Sequence, residues 1–400
     1  MIYQIHYRTL FLNNTITMFT TRFFDNIFYN IVMNDNLKRL RAIREALKDL
    51  YPGEPKGNLV RHLHVLAAII SGIIGSRSTN LPLIAGKVPD NCKVESRVKR
   101  LSRWINNERI DCALYFIPFA QALLDGLSKQ TLVLVMDGST VGRGCITLMI
   151  SVVYKKRALP IAWLVVKGKK GHLPESLHLD LLDKVRGIVP KDSSVVFLGD
   201  GEFDGIDLQE RIDSYGWEYV CRTGKNSRIC DAGYWLSLEE MGVQRGDKIG
   251  IPEVEFTLEA YGPVLVIAWW EAQYKEAIYL VTNMELVEEA CYWYGKRFRI
   301  ETFFSDQKSR GFNLHKSHVS DPARLSRLMI AACLAYIWII YLGAIAMAEG
   351  WVKIIHRTDR CDLSLFQLGL RLLEYFLNDN LPIPVNFRIP GRALDSEMLF

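Results

Sequence analysis

Residues 328–347, LMIAACLAYIWIIYLGAIAM, run for about 20 positions without a charged side chain. Water solvates such a segment poorly, so whatever the chain folds into must enclose it. By length alone it could span a bilayer. A helix apolar on every side also belongs in the core of a large soluble protein, and we read it that way because no other segment looks like a span. Four hundred residues, 49% hydrophobic and 23% charged, supply enough material for such a core, and about two to three domains are expected.

The rest of the chain divides by the period of its apolar residues. Residues 1–35 are an N-terminal extension with no assigned function. Their apolar stretches are interrupted by Arg8, Arg22 and Asp25, and Met18 and Met33 are alternative starts. From 36 to 129 the pattern is helical: Leu37, Leu40, Ile43 and Leu47 recur at helical spacing. Further helices are expected at 59–74, 94–107 and 113–127, with a looser stretch at 75–91. The 94–107 segment sets Arg97, Lys99, Arg100 and Arg103 around Val98, Leu101 and Trp104, either a face for DNA or a solvated one.

At Thr131 the period shortens. Strands are expected at 132–136, 145–154 and 158–166, with turns at Gly142-Arg143-Gly144 and Lys155-Lys156-Arg157. A helix marked by Leu177, Leu181, Leu182 and Val185 follows, then a strand at 195–198, a helix at 206–215 and a strand at 217–221. Three strands in meander and then alternating helix and strand is the order of an RNase H-like mixed α/β sheet with flanking helices. A β-rich insertion at about 224–283 interrupts it, and helical periodicity returns at Leu286 and runs past Lys308. The expected domains are a helical one at 36–129, the RNase H-like one at 130–348 and a helical tail at 349–400.

Two carboxylates stand where apolar strands emerge, Asp137 after LVLVM and Asp200 after VVFLG. Open sheets bind ligands at those ends, although a lone Asp there is more often a turn or capping residue. A third carboxylate changes the reading. Tyr294, Arg297, Glu301 and Lys308 are spaced by three, four and seven residues, which on one continuous helix stacks them on a single face over about four turns. Such a face is either solvated and laced with i,i+4 pairs such as Arg297 with Glu301, or it holds an anionic substrate beside a metal ligand. Three hard oxygen ligands at one sheet end suit Mg²⁺ or Mn²⁺, and a pair of such ions supports in-line phosphoryl transfer. Glu202 and Asp204 are rivals to Asp200; Asp204 is expected instead to cap the helix beginning near Ile206.

Competing chemistries leave no trace in the sequence. The eight cysteines show neither CxxC nor zinc-finger spacing, and free thiols in apolar surroundings fit a reducing cytoplasm. There is no Gly-rich phosphate loop and no Ser-His-Asp arrangement. A net charge of +5 is mild, but cations gather locally: Lys155, Lys156 and Arg157; Lys167, Lys169 and Lys170 with His172; and Lys296, Arg299, Arg310 and Lys316 around the charged motif.

That motif fits Tyr-x2-Arg-x3-Glu-x6-Lys without a gap (Y-GK-R-FRI-E-TFFSDQ-K), and MDGST and LGDGEFDG surround the two aspartates. In these features the chain resembles the DDE transposases of the insertion sequence four group, over about residues 132–314. Many relatives carry Arg directly after the second Asp, where this chain has Gly201. The resemblance implies that Asp137, Asp200 and Glu301 are catalytic and bind two Mg²⁺ ions, with Mn²⁺ able to substitute. It implies that Tyr294, Arg297 and Lys308 contact phosphates of a transposon end. It further implies cut-and-paste transposition: cleavage at transposon ends and strand transfer into target DNA, on double-stranded DNA whose terminal inverted repeats the N-terminal helices recognise. A homodimer holding two ends, in the bacterial cytoplasm with the nucleoid and away from membranes, belongs to the same expectation. The alternatives are a non-catalytic DNA-binding remnant and a membrane protein anchored by 328–347.

Overall fold

The computed structural model describes residues 34–51, 54–168, 171 and 173–389. Residues 1–33 of the N-terminal extension, and Lys169, Lys170 and His172 of the basic loop, lie outside them.

Helix α1 (Asp35–Lys48) begins where the Asn34 side chain accepts from Asn36 N at 2.9 Å, and it buries Ile43 and Leu47. Its Arg39 is buried too, donating from Nε to the carbonyl (3.0 Å) and hydroxyl (3.1 Å) of Ser71 in α2 (Asn58–Ser76). The supposedly loose stretch after α2 contains a short helix, α3 (Leu81–Ala85), which has an Asn80 cap and Pro82 in its first turn. The bundle continues with α4 (Val94–Asn106), α5 (Cys112–Tyr115) and α6 (Ile117–Leu127). On basic α4, Arg97 and Arg100 both grip Asp90, at 2.6 and 2.5 Å. Lys99 and Arg103 stay exposed.

The first three strands, β1 (Leu132–Gly142), β2 (Cys145–Tyr154) and β3 (Arg157–Lys167), form an antiparallel meander with tight turns. Gly144 supplies the positive φ (65°) that the first turn needs. Helices α7 (Glu175–Arg186) and α8 (Ile206–Ser214) then lead to β4 (Val195–Gly199) and β5 (Glu218–Thr223), which run parallel to β1. The order β3-β2-β1-β4-β5, with β2 antiparallel to both neighbours, is the RNase H-like arrangement. Beyond it come β6 (Arg228–Asp231), β7 (Tyr234–Ser237), β8 (Lys248–Phe256), β9 (Tyr261–Trp269) and β10 (Ile278–Thr282). Because β10 pairs with both β5 and β9, these strands prolong the same sheet, which reads β3-β2-β1-β4-β5-β10-β9-β8-β6-β7.

After the sheet come α9 (Val287–Tyr294) and α10 (Arg299–Gln307), then the long apolar helix α11 (Pro322–Ala348), the short α12 (Val352–Ile355) and α13 (Leu365–Asn378). Asp321 caps α11 by accepting from Arg324 N at 2.8 Å. The helix then runs between α2, α13 and β3, with its apolar stretch buried on every side. The segment therefore lies inside the protein, as its composition requires. Among the described residues it has a companion: α2 is also long and apolar enough to cross a membrane by length and composition, contrary to the expectation of a single such segment, although Arg61, His62 and His64 mark its first turns.

Candidate active site

Strand β1 does not stop at Asp137. MDGST pairs with β2, placing Asp137 opposite Met149, and the strand runs on to Gly142. What ends is β4. The parallel register of β1 with β4 closes at Val135 opposite Leu198, and carried two residues further it brings Asp137 abreast of Asp200. Asp137 is 3% exposed, and its Oδ1 accepts from Gly138 N at 2.7 Å. Asp200 opens a turn in which its Oδ1 accepts from Glu202 N (3.0 Å) and its carbonyl from Phe203 N (2.9 Å). Gly199 is required there, because a Cβ would come within 2.7 Å of the Phe203 Cβ. At Gly201 the nearest atom to an added Cβ is the Arg222 carbonyl oxygen at 3.9 Å, so a Cβ at this position is not excluded.

The Tyr-Arg-Glu-Lys motif does not lie on one helix. Helix α9 ends at Tyr294, residues 295–298 form turns closed by i→i−3 bonds such as Arg297 N to the Tyr294 carbonyl (2.9 Å), and α10 starts at Arg299. Those turns wind in the helical sense at about three residues per turn, which is why the spacing looked continuous. Helix α10 packs on β1, β2 and β3 through Ile300, Phe303 and Phe304, and Asp306 pairs with Arg157 of β3 at 3.0 Å. Lys308 leaves the helix with non-helical φ and ψ of −95° and −124°, and its Nζ donates to Ser139 Oγ at 2.7 Å.

Arg297 links the acids. Its Nη2 donates to Glu301 Oε1 at 3.0 Å, and its Nη1 lies 3.8 Å from Asp200 Oδ2. Burial works against its charge, but Tyr294 and the carboxylates of Asp200, Asp137 and Glu301 outweigh it and hold the guanidinium above its ordinary pKa. The three predicted carboxylates thus act on one cation. Tyr294 is buried, and burial pushes its phenol up to about 12. Among the described residues no group of three His, Cys, Asp or Glu is arranged to hold a metal ion. The donor chemistry is nonetheless the hard-oxygen set that Mg²⁺ prefers, with an arginine as its present cationic partner.

Of the two rivals of Asp200, Asp204 has another role. Asp204 Oδ2 accepts from Thr223 Oγ1 at 2.7 Å, and burial raises its pKa. It does not cap α8. That role falls to Glu175 of α7, whose Oε1 accepts from Leu208 N at 3.1 Å.

Two residues went unread in the sequence. Ser139 had a signal: two positions past Asp137 on one strand, it shares that face of the sheet. His178 had none. It is 3% exposed, its ring sits 4.8 Å from that of Phe203, and its Nε2 has no hydrogen-bond partner among the described residues. Burial pushes it down to about 4 despite the charge of Asp200. The unfolded chain therefore binds a proton between about pH 6.5 and 4 that the native protein refuses, so this contribution is full above 6.5 and is lost as pH falls towards 4, by at most about 3 kcal/mol. Denaturant unfolding at pH 7 and 4.5 should show that loss in the wild type and a smaller one in His178→Phe. Equal losses would remove His178 from the account.

The class so described is an RNase H-like α/β protein with acidic residues just past the point where its parallel β1–β4 pairing ends. The family model for the transposase DDE domain matches residues 128–338, more than half of the chain. The chain belongs to the DDE transposase family. Among solved structures, the cryo-EM structure of a piggyBac transposase synaptic complex with hairpin DNA is similar at 13% identity and a TM-score of 0.43, covering 87% of this chain and 80% of that one. No curated protein matches.

Proposed function

We propose that this protein is a cut-and-paste DNA transposase of the insertion sequence four group, with Asp137, Asp200 and Glu301 as its catalytic carboxylates. The observation that carries the reading is Arg297, which is ion-paired to Asp200 and Glu301 and also feels the charge of Asp137. Asp200 and Glu301, 101 positions apart, both reach one guanidinium that also feels the charge of Asp137, and such a convergence supports chemistry on a single phosphate.

In this reading Asp137, Asp200 and Glu301 would hold two Mg²⁺ ions, with Mn²⁺ as a substitute. When bound, such a pair activates the attacking oxygen and stabilises the leaving one. Asp137, buried in β1, contributes the most rigid ligand, while Glu301 stands at the solvent edge where DNA arrives. Lys308, held against β1 by Ser139, meets a phosphate oxygen by a charge-assisted bond, and Tyr294 and Arg297 complete the contact with the transposon end. Water first opens the phosphodiester and frees a 3′-hydroxyl. That hydroxyl attacks the opposite strand, and the excised end later joins target DNA. The helices of 36–129 would read the terminal inverted repeats, Lys99 and Arg103 of α4 being exposed for phosphate contact. A homodimer would hold both ends in the bacterial cytoplasm, and residues 130–348 would form the catalytic domain with 349–400 as its helical tail.

The test is end-labelled DNA carrying the repeats that flank the gene. Nicks leaving a 3′-hydroxyl at the repeat boundary should appear with Mg²⁺ or Mn²⁺ and vanish in EDTA. Bound DNA that stays intact under every metal condition would sink the assignment.

A further inference from the structure

Arg297 occupies an unusual position for a side chain expected to touch DNA. Only 15% of it is exposed, against 41% for the Glu301 side chain it bonds. Its Nη1 is buried without a hydrogen-bond partner among the described residues and faces Asp200 at 3.8 Å. A buried cationic donor left short of a partner is tolerated only where surrounding charge compensates, and here three carboxylates do so. The converse also holds: three acids converging on one spot repel one another unless a cation stands among them. The nearby Lys308 also donates to Ser139 Oγ, at 2.7 Å.

We propose that Arg297 is the resident cation of this site, neutralising Asp200 and Glu301 beside Asp137 in the metal-free protein and yielding that place when divalent cations enter. The inference rests on the metal-binding reading given above. Its mechanical basis is the break between α9 and α10. Arg297 lies in the turns of residues 295–298, after exposed Gly295 and before exposed Phe298. Reorienting a side chain there need not unwind a helix. A guanidinium displaced from the acids is then available for a DNA phosphate on the same side. Metal loading and capture of the transposon end are thereby linked, and each raises the affinity for the other.

The experiment is Mn²⁺ titration of the full chain without DNA, followed by electron paramagnetic resonance and calorimetry, with melting in EDTA as a second readout. Arg297→Gln should bind Mn²⁺ about tenfold more tightly than the wild type, because no internal cation competes, and it should melt lower in EDTA. Should Arg297→Gln not fold, Arg297→Lys, which keeps the charge on a shorter-reaching head, should show a smaller gain. Equal or weaker Mn²⁺ binding in these variants, with Asp137→Asn still abolishing it, overturns this inference and leaves the metal site standing. Mn²⁺ binding indifferent to Asp137→Asn in every background overturns both.

Discussion

Asp137→Asn, Asp200→Asn and Glu301→Gln should each slow cleavage at a transposon end by roughly 10³-fold or more, equivalent to about 4 kcal/mol of barrier. Each change keeps the shape and removes the charge. Asn at 137 fills the same buried space and can still accept from Gly138 N through its remaining carbonyl oxygen. Gln at 301 can likewise still accept from Arg297. The folded population should therefore survive, and end binding, which depends mainly on cations and phosphates, should stay within a few-fold of the wild type. Single-turnover cleavage and gel-shift affinity on the same preparations separate the two. A variant of the three that cleaves near the wild-type rate would lose its place among the catalytic acids.

Gly369→Ala should cause a large loss of stability from a single added methyl group. Helices α11 and α13 cross so closely that a Cβ on Gly369 would stand 1.9 Å from the Ile339 carbonyl oxygen and 3.0 Å from the Gly343 nitrogen. Across the same crossing, a Cβ on Gly343 would meet the Leu365 carbonyl oxygen at 2.0 Å. The obstructing atoms are backbone, so no side-chain rotation relieves the clash and the helices must part. At an open helical site the same change would gain about 1 kcal/mol. Here overpacking should reverse the sign and cost about 3 kcal/mol or more. Denaturant midpoints read the difference, and an unchanged or raised midpoint for Gly369→Ala would mean that the helices are not apposed at these glycines.

Much of this architecture was legible because periodicity reports local backbone geometry. The apolar alternation and turn residues of 131–221 located the five strands and two helices of the central fold, and their order gave the RNase H-like topology. Other features escaped for physical reasons. Turns with i→i−3 bonds wind in the same sense as a helix, so the spacing of Tyr294, Arg297 and Glu301 cannot reveal the break at 295–298. Capping is decided by whichever acceptor reaches the helix start, and Glu175 of another helix reaches α8 where the adjacent Asp204 does not.

The order of side chains alone fixed the residue types of the candidate site and the need to enclose 328–347, since hydrophobicity and motif spacing are properties of the chain. Folding decided the rest. The β1–β4 register carries Asp137 abreast of Asp200, α10 packs on β1, β2 and β3, and the turn before it sets Arg297 within reach of both Asp200 and Glu301. Distances between groups remote in sequence depend on strand register and helix packing, which only the whole core determines.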